Sequence, residues 1–314
     1  MVTMIKTKSL SGVWSAAPTP FTEEMEIDTE SIKRMVDHHF RLGVKGLFLG
    51  GTNGEGPWLP ERSRRKLVQE VVKYTKKRMW VAFQVTDNSV PRILDNIQLA
   101  NKDGADIAVI APPYCLFNAT PQNILNLYRE VIHKSSLPVG IYDRGKNASV
   151  FVPDAVLRKI YAEKNVLLVK DSSTLPQRRN IALAAKQKRP ELRLLNGWEF
   201  NCVEYLKAGY DGLLLGGGIF NGYLAGQIIQ AVRTGNFTQA EKLQRRMNRI
   251  MYAVYGGKKL KCWLSGEKKL LVEMGIFRTW KNYLNYPLTE NCLKAIQRVL
   301  EKEADILFPW RKEE

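Results

Sequence analysis

Lys170 follows an uninterrupted apolar run, Val166-Leu167-Leu168-Val169, and precedes a polar turn, Asp171-Ser172-Ser173. A run of this length between turn residues reads as a strand buried on both faces, as in a parallel sheet. An amine at the C-terminal end of such a strand sits against hydrocarbon. Desolvation lowers its pKa, and a neutral amine near pH 7 attacks a ketone to form a Schiff base. A lysine that closes a strand and extends its ammonium into water fits the same peptide. What separates the two is the company that the rest of the chain brings.

Several residues close apolar runs of their own. They are Thr52, Asn53 and Glu55 after Val44–Gly50, Tyr114 after Ala105–Ala111, and Tyr142 at the end of Pro138–Tyr142. Asn196, Gly197 and Glu199 follow Leu192–Asn196, and Gly216-Gly217-Gly218 follow Gly212–Leu215, which contains Leu214. Phenols move protons, a hydroxyl links them, and glycine-rich turns offer backbone N–H groups to a carboxylate. Each has a plainer reading. Tyr142 fits a half-buried aromatic at a rim, Tyr114 loop packing, Thr52 a turn and Glu199 a helix cap. The glycines fit a phosphate cradle or close packing. Only joint placement at one end of a sheet turns them into a site.

The elements that would place them alternate regularly. Strands are expected over Gly12–Pro20, Val44–Gly50, Trp80–Val85, Ala105–Ala111, Pro138–Tyr142, Val166–Lys170, Leu192–Asn196 and Gly212–Leu215. Helices are expected between them: Asp28 caps the first, Pro60 opens the second in its first turn, and the others fall near 90–102, 122–133, 153–161, 178–187, 201–208 and 223–233. About eight such alternations imply a (β/α)8 TIM barrel, whose active site lies at the C-terminal strand ends. A doubly wound sheet is the alternative, but no GxGxxG follows the first strand. Beyond Gly235 only helical patterns remain. The division expected is a barrel over residues 1–234 and a helical domain over 235–314.

Apolar content of 45% and charged content of 25% are ordinary for a globular chain. No apolar run is long enough to cross a bilayer, and Met1 to Leu10 lacks a signal-peptide core. The four cysteines lie far apart without a CxxC pair, which fits free thiols in the cytoplasm and no zinc site. His38, His39 and His133 fall in helices away from the strand ends, which argues against a zinc site and a Ser/His/Asp triad. The net charge of +17 is spread over helix-like segments with no nucleic-acid motif, so solvated faces account for it better than nucleic-acid binding.

With these residues the chain resembles the N-acetylneuraminate lyase/dihydrodipicolinate synthase family of pyruvate-dependent class I aldolases. Gly51-Thr52-Asn53-Gly54-Glu55 is similar to the family's loop after strand two, Tyr142 to its strand-five tyrosine, and Lys170 in KDSS to its Schiff-base lysine. Tyr114 matches the tyrosine after strand four, and LLNGWE the strand-seven segment. The resemblance implies that Lys170 condenses with the ketone of pyruvate or a 2-keto-3-deoxy acid, with Tyr142 as proton shuttle and donor to the substrate carboxylate. It implies that Thr52 connects Tyr142 to Tyr114, the latter lent across a dimer interface. Thr52 and Asn53 would hold the carboxylate through their backbone, and Glu199 would grip hydroxyls. Gly197, Leu214, Gly216 and Arg144 complete the expected substrate-binding set. No metal or cofactor is implied, and the chain is expected to form a homodimer or homotetramer.

Two departures stand out. Asn53 occupies the second hydroxyl position of the family's loop. Asn147 stands where dihydrodipicolinate synthases carry an arginine, with Arg144 and Lys146 nearby. A sugar-acid lyase is therefore favoured over a dihydrodipicolinate synthase acting on aspartate semialdehyde. A basic nucleic-acid-binding protein on an inactive barrel is the alternative of another class.

Overall fold

The computed structural model describes residues 10–312. The signal-peptide expectation falls on residues 1–9, outside the described residues. Eight strands run β1 (Gly12–Ala16), β2 (Gly46–Leu49), β3 (Trp80–Gln84), β4 (Ile107–Ile110), β5 (Val139–Asp143), β6 (Val166–Asp171), β7 (Arg193–Asn196) and β8 (Gly212–Leu215). Each pairs in parallel with the next, and β8 closes on β1. The expected (β/α)8 barrel is what the chain forms.

Side chains alternate along each strand, so the barrel has two apolar faces. Inward lie Trp14, Ala16, Phe48, Ala82, Ile107, Val109, Leu168, Leu195 and Leu214. Outward residues such as Val13, Leu47, Val81, Val169 and Leu213 meet the helices. The intervening helices are α1 (Thr29–Arg41), α2 (Glu61–Thr75), α3 (Val90–Lys102), α4 (Pro121–Lys134), α5 (Asp154–Tyr161), α6 (Pro176–Lys188), α7 (Cys202–Ala208) and α8 (Gly218–Arg233). Asp28 caps α1 by accepting from the backbone N–H groups of Glu30 and Ser31, as its sequence position implies. Pro60 stands just ahead of α2 rather than inside it.

One boundary differs by more than a turn's fraying. α8 begins at Gly218, five residues before the expected start near Tyr223. Glycine there is poor helix material, yet its backbone presses so closely on β1 that a Cβ would lie 2.8 Å from the Ser15 Cα. Packing overrides propensity. The glycine run is thus a helix N-terminus at the barrel mouth.

After α8 come α9 (Phe237–Val254), α10 (Trp263–Glu273), α11 (Glu290–Lys302) and the short α12 (Ala304–Leu307). Met247, Ile250 and Val254 of α9 join the same core as Leu224 and Ile228 of α8. Among the described residues no helix is long and apolar enough to cross a membrane.

Candidate active site

Lys170 follows Leu168 by two residues on β6 and therefore points into the barrel. Its side chain is buried, at 6% exposure. The Nζ atom lies 4.3 Å from the centre of the Tyr142 ring and 4.9 Å from that of Phe48. Phe48 and Tyr142 meet edge to face at 5.7 Å, walling the amine with hydrocarbon. Burial drives the Lys170 amine below the usual lysine range. Tyr142 and Glu199 oppose that shift, and the positive Arg144 adds to it.

Burial alone would raise the Tyr142 phenol. The Lys170 and Arg144 cations and the Thr52 and Ser172 hydroxyls outweigh it, and the net shift is downward. Amine and phenol are thus both shifted downward, and each lies within reach of the other for proton exchange. Gly197 makes room for this arrangement. A Cβ there would lie 2.1 Å from the Ser172 Oγ and 3.0 Å from the Lys170 Cε.

The other expected residues divide. Thr52 stands beside Tyr142, half-buried. Tyr114 is half-buried at the same mouth, but its hydroxyl meets Gln84, whose Nε2 donates to it at 3.0 Å. Burial raises its pKa. The described contacts of this chain therefore join Thr52 to Tyr142 and Tyr114 to Gln84. Leu214 lies on the inner wall. Arg144 is half-buried just past β5, and among the described residues it has no ion-pair partner.

Asn53 is buried, and its Nδ2 donates to the Ala16 carbonyl at 2.8 Å and to Glu267 Oε1 at 3.2 Å. Its side chain ties β1 to α10. Glu55, grouped with the mouth by its sequence position, is turned away. Its carboxylate pairs with Lys268 of α10, both side chains fully buried, and accepts the Tyr283 N–H at 2.7 Å. The left-handed backbone of Glu55 (φ 57°) makes that turn. Asn196 folds onto its own chain, accepting the Trp198 N–H at 2.8 Å.

Glu199 is a further ionisable group at the mouth. Its Oε2 accepts the Gly217 N–H at 2.7 Å and its Oε1 the Tyr255 hydroxyl at 3.0 Å. The glycine run thus gives a backbone donor to a carboxylate of the chain itself. A Cβ on Gly216 would lie 3.4 Å from Glu199 Oε1. Burial raises the Glu199 pKa, against the pull of Gly217, Tyr255 and Lys170.

Sequence reasoning missed Ser172, Gln84, Tyr255 and Glu267. Ser172 carried a signal, since it follows Lys170 by two residues. Gln84 sits on β3 with its side chain buried, an unusual place for an amide. Tyr255 and Glu267 lie in the C-terminal helices, where nothing local points to the barrel mouth.

The model of the Dihydrodipicolinate synthetase family matches residues 9–300. An N-acetylneuraminate lyase of Salmonella agona is 26% identical over 306 residues, covering 94% of each chain. A dihydrodipicolinate synthase from Thermotoga maritima shares the fold with a TM-score of 0.84 at 23% identity, over 94% of this chain and 98% of that one. A Clostridium difficile protein solved in complex with mannosamine does so with a TM-score of 0.83 at 17% identity, over 93% and 99%. The resemblance drawn from Lys170, Tyr142 and the Thr52 loop is borne out: the chain belongs to the dihydrodipicolinate synthetase family, a family of class I aldolases and lyases that act on pyruvate and related keto acids.

Proposed function

We propose that Lys170 is the Schiff-base amine of a lyase that makes, cleaves or dehydrates a 2-keto-3-deoxy acid. The observation that carries this reading is the buried Lys170 amine, 4.3 Å from the Tyr142 ring and depressed in pKa by burial. The free amine adds to the C2 carbonyl, water leaves, and an iminium forms. Tyr142 passes protons to and from the departing oxygen and the substrate, supported by Thr52. Loss of a C3 proton gives an enamine, which adds to an aldehyde carbon. The reverse sequence cleaves the C3–C4 bond. Hydrolysis then frees Lys170.

In this reading the Thr52 and Asn53 backbone receives the keto-acid carboxylate, and Gly197, Leu214 and Gly216 shape the wall. Glu199, fixed at the mouth, addresses the hydroxyls of a sugar-derived acid. A second reading has one observation in its favour. Arg144 is a half-buried cation with no ion-pair partner among the described residues, which suits a second substrate carrying its own carboxylate, as aspartate semialdehyde does. The loop that carries Tyr114 also exposes Phe117 at 87%, which supports a dimer or tetramer built over that loop.

Two measurements test the proposal. The enzyme in heavy water should exchange the methyl hydrogens of pyruvate, followed by proton NMR. A panel of 2-keto-3-deoxy sugar acids, with pyruvate plus aspartate semialdehyde alongside, should then identify the partner. No exchange and no turnover of any panel member would refute the reading.

A further inference from the structure

Glu199 is held from behind by the C-terminal helices. In α9, Gln244, Asn248 and Tyr252 recur one turn apart, and Tyr255 follows just past the helix end, so all four lie on one face. The Gln244 Oε1 accepts the Cys202 N–H at 2.7 Å, and its Nε2 donates to the Glu199 carbonyl at 3.1 Å. The same Nε2 donates to Asn248 Oδ1 at 2.8 Å, and Asn248 Nδ2 donates to the Phe200 carbonyl at 3.2 Å. Tyr252 stacks on the Phe200 ring at 5.0 Å and 22°. Tyr255 then reaches the Glu199 carboxylate itself. Gln244 and Tyr255 are buried, at 5% and 1% exposure. Polar groups placed on the buried stripe of an amphipathic helix are costly unless paired, and here their pairing is spent on one short segment, residues 199–202.

We propose that Gln244, Asn248 and Tyr255 are positioning residues that fix Glu199 beside Lys170, so that the C-terminal helices set the charge facing the reacting amine. The proposal rests on the reading of Lys170 as the Schiff-base residue and extends it to a region outside the barrel. The titratable groups facing Glu199 are Lys170 from β6, Tyr255 after α9, Glu267 from α10 and Cys202 from α7. Those facing Lys170 are Tyr142, Arg144 and Glu199.

The sign follows from these neighbours. The Tyr255 hydroxyl favours ionised Glu199, and ionised Glu199 favours protonated Lys170. Removing the hydroxyl leaves Glu199 neutral over more of the pH range. Lys170 then loses an anionic neighbour, its pKa falls, and the acidic limb of its reaction with pyruvate moves to lower pH.

The test is the pH dependence of pyruvate methyl exchange, measured by proton NMR on the full chain. Variants Y255F, E199Q and the double variant are compared with the unaltered chain. Y255F should move the acidic limb down by about half to one pH unit, a lost charge-assisted hydrogen bond being of that order. E199Q should move it at least as far, and the double variant no further than E199Q, because Tyr255 acts through Glu199. A Y255F profile with lower amplitude and an unmoved limb assigns Tyr255 a merely structural role and overturns the proposal. So does an additive double variant. Should Y255F fail to fold, E199Q decides: an unmoved limb overturns the proposal. If the unaltered chain exchanges nothing, the Schiff-base reading falls and the proposal with it. If it exchanges and the limbs coincide, only the proposal falls.

Discussion

Tyr142 on β5 stands directly across from Lys170 on β6, although uninterrupted pairing from Val139 and Val166 would set it against Val169. The register shifts by one residue between Val139 and Gly140, because Gly140 pairs with Leu168 and Leu167 is passed over. Without that bulge the phenol would face a residue whose side chain belongs to the outer core. The amine and the phenol meet because one strand carries one residue more than its neighbour.

The phenol is the first thing to alter. Y142F keeps the ring against Phe48 and Lys170 and removes only the hydroxyl. Turnover of pyruvate-derived substrate should fall by about 10²-fold or more, the usual contribution of a positioned proton-transfer group. The melting temperature should stay within a few degrees of the parent's. A loss below about threefold would deny Tyr142 the proton-transfer role.

Gly197 makes a steric prediction. A methyl group there has no room beside Ser172 Oγ and the Lys170 side chain. G197A should displace the amine and reduce pyruvate methyl exchange by at least about tenfold, a shift near 1 Å being enough to weaken catalysis strongly. Circular dichroism should show the barrel retained. Unchanged exchange would mean that Lys170 is free to move aside without consequence.

Much of this was legible in the sequence. Lys170 and Tyr142 close runs of buried strand, and strand ends share one rim of a barrel, so the fold brings them together from any starting point in the chain. The family resemblance rested on the same positions. What stayed hidden depends on contacts between distant segments. Glu55 lies three residues from Thr52 and reads as a mouth residue, but Lys268 draws it away from more than two hundred residues off. The glycine run reads as a cradle for a ligand anion, but the carboxylate it receives is Glu199's. The bulge at Leu167 leaves no mark either, since a leucine fits a straight strand equally well.

The Glu55–Lys268 pair carries a stability prediction. Both side chains are fully buried, and Lys268 also donates to the Lys281 carbonyl at 2.9 Å. K268M leaves a buried carboxylate without its partner and should cost about 3–5 kcal/mol in urea unfolding. A change under about 1 kcal/mol would show that water or another donor reaches Glu55 in its place.

Acid should unfold the chain through α1. Burial lowers the His38 pKa to about 4 and the His39 pKa to about 3, from the usual imidazole value of 6.5. The unfolded chain therefore binds more protons than the folded one below pH 6.5. The stability due to neutral histidines is fully present above that value and is lost as pH falls toward 4. Urea midpoints taken down the pH scale should decline in this window. The decline should be shallower in H38Q, and equal slopes in the two proteins would remove His38 as its source.

The central claim is that Lys170 forms a covalent imine with a keto acid. Borohydride reduction in the presence of pyruvate, followed by peptide mass analysis, tests it most directly. The account predicts one adduct per chain, on the peptide containing Lys170, and none in K170A. No adduct, or one that persists in K170A on another lysine, would contradict it.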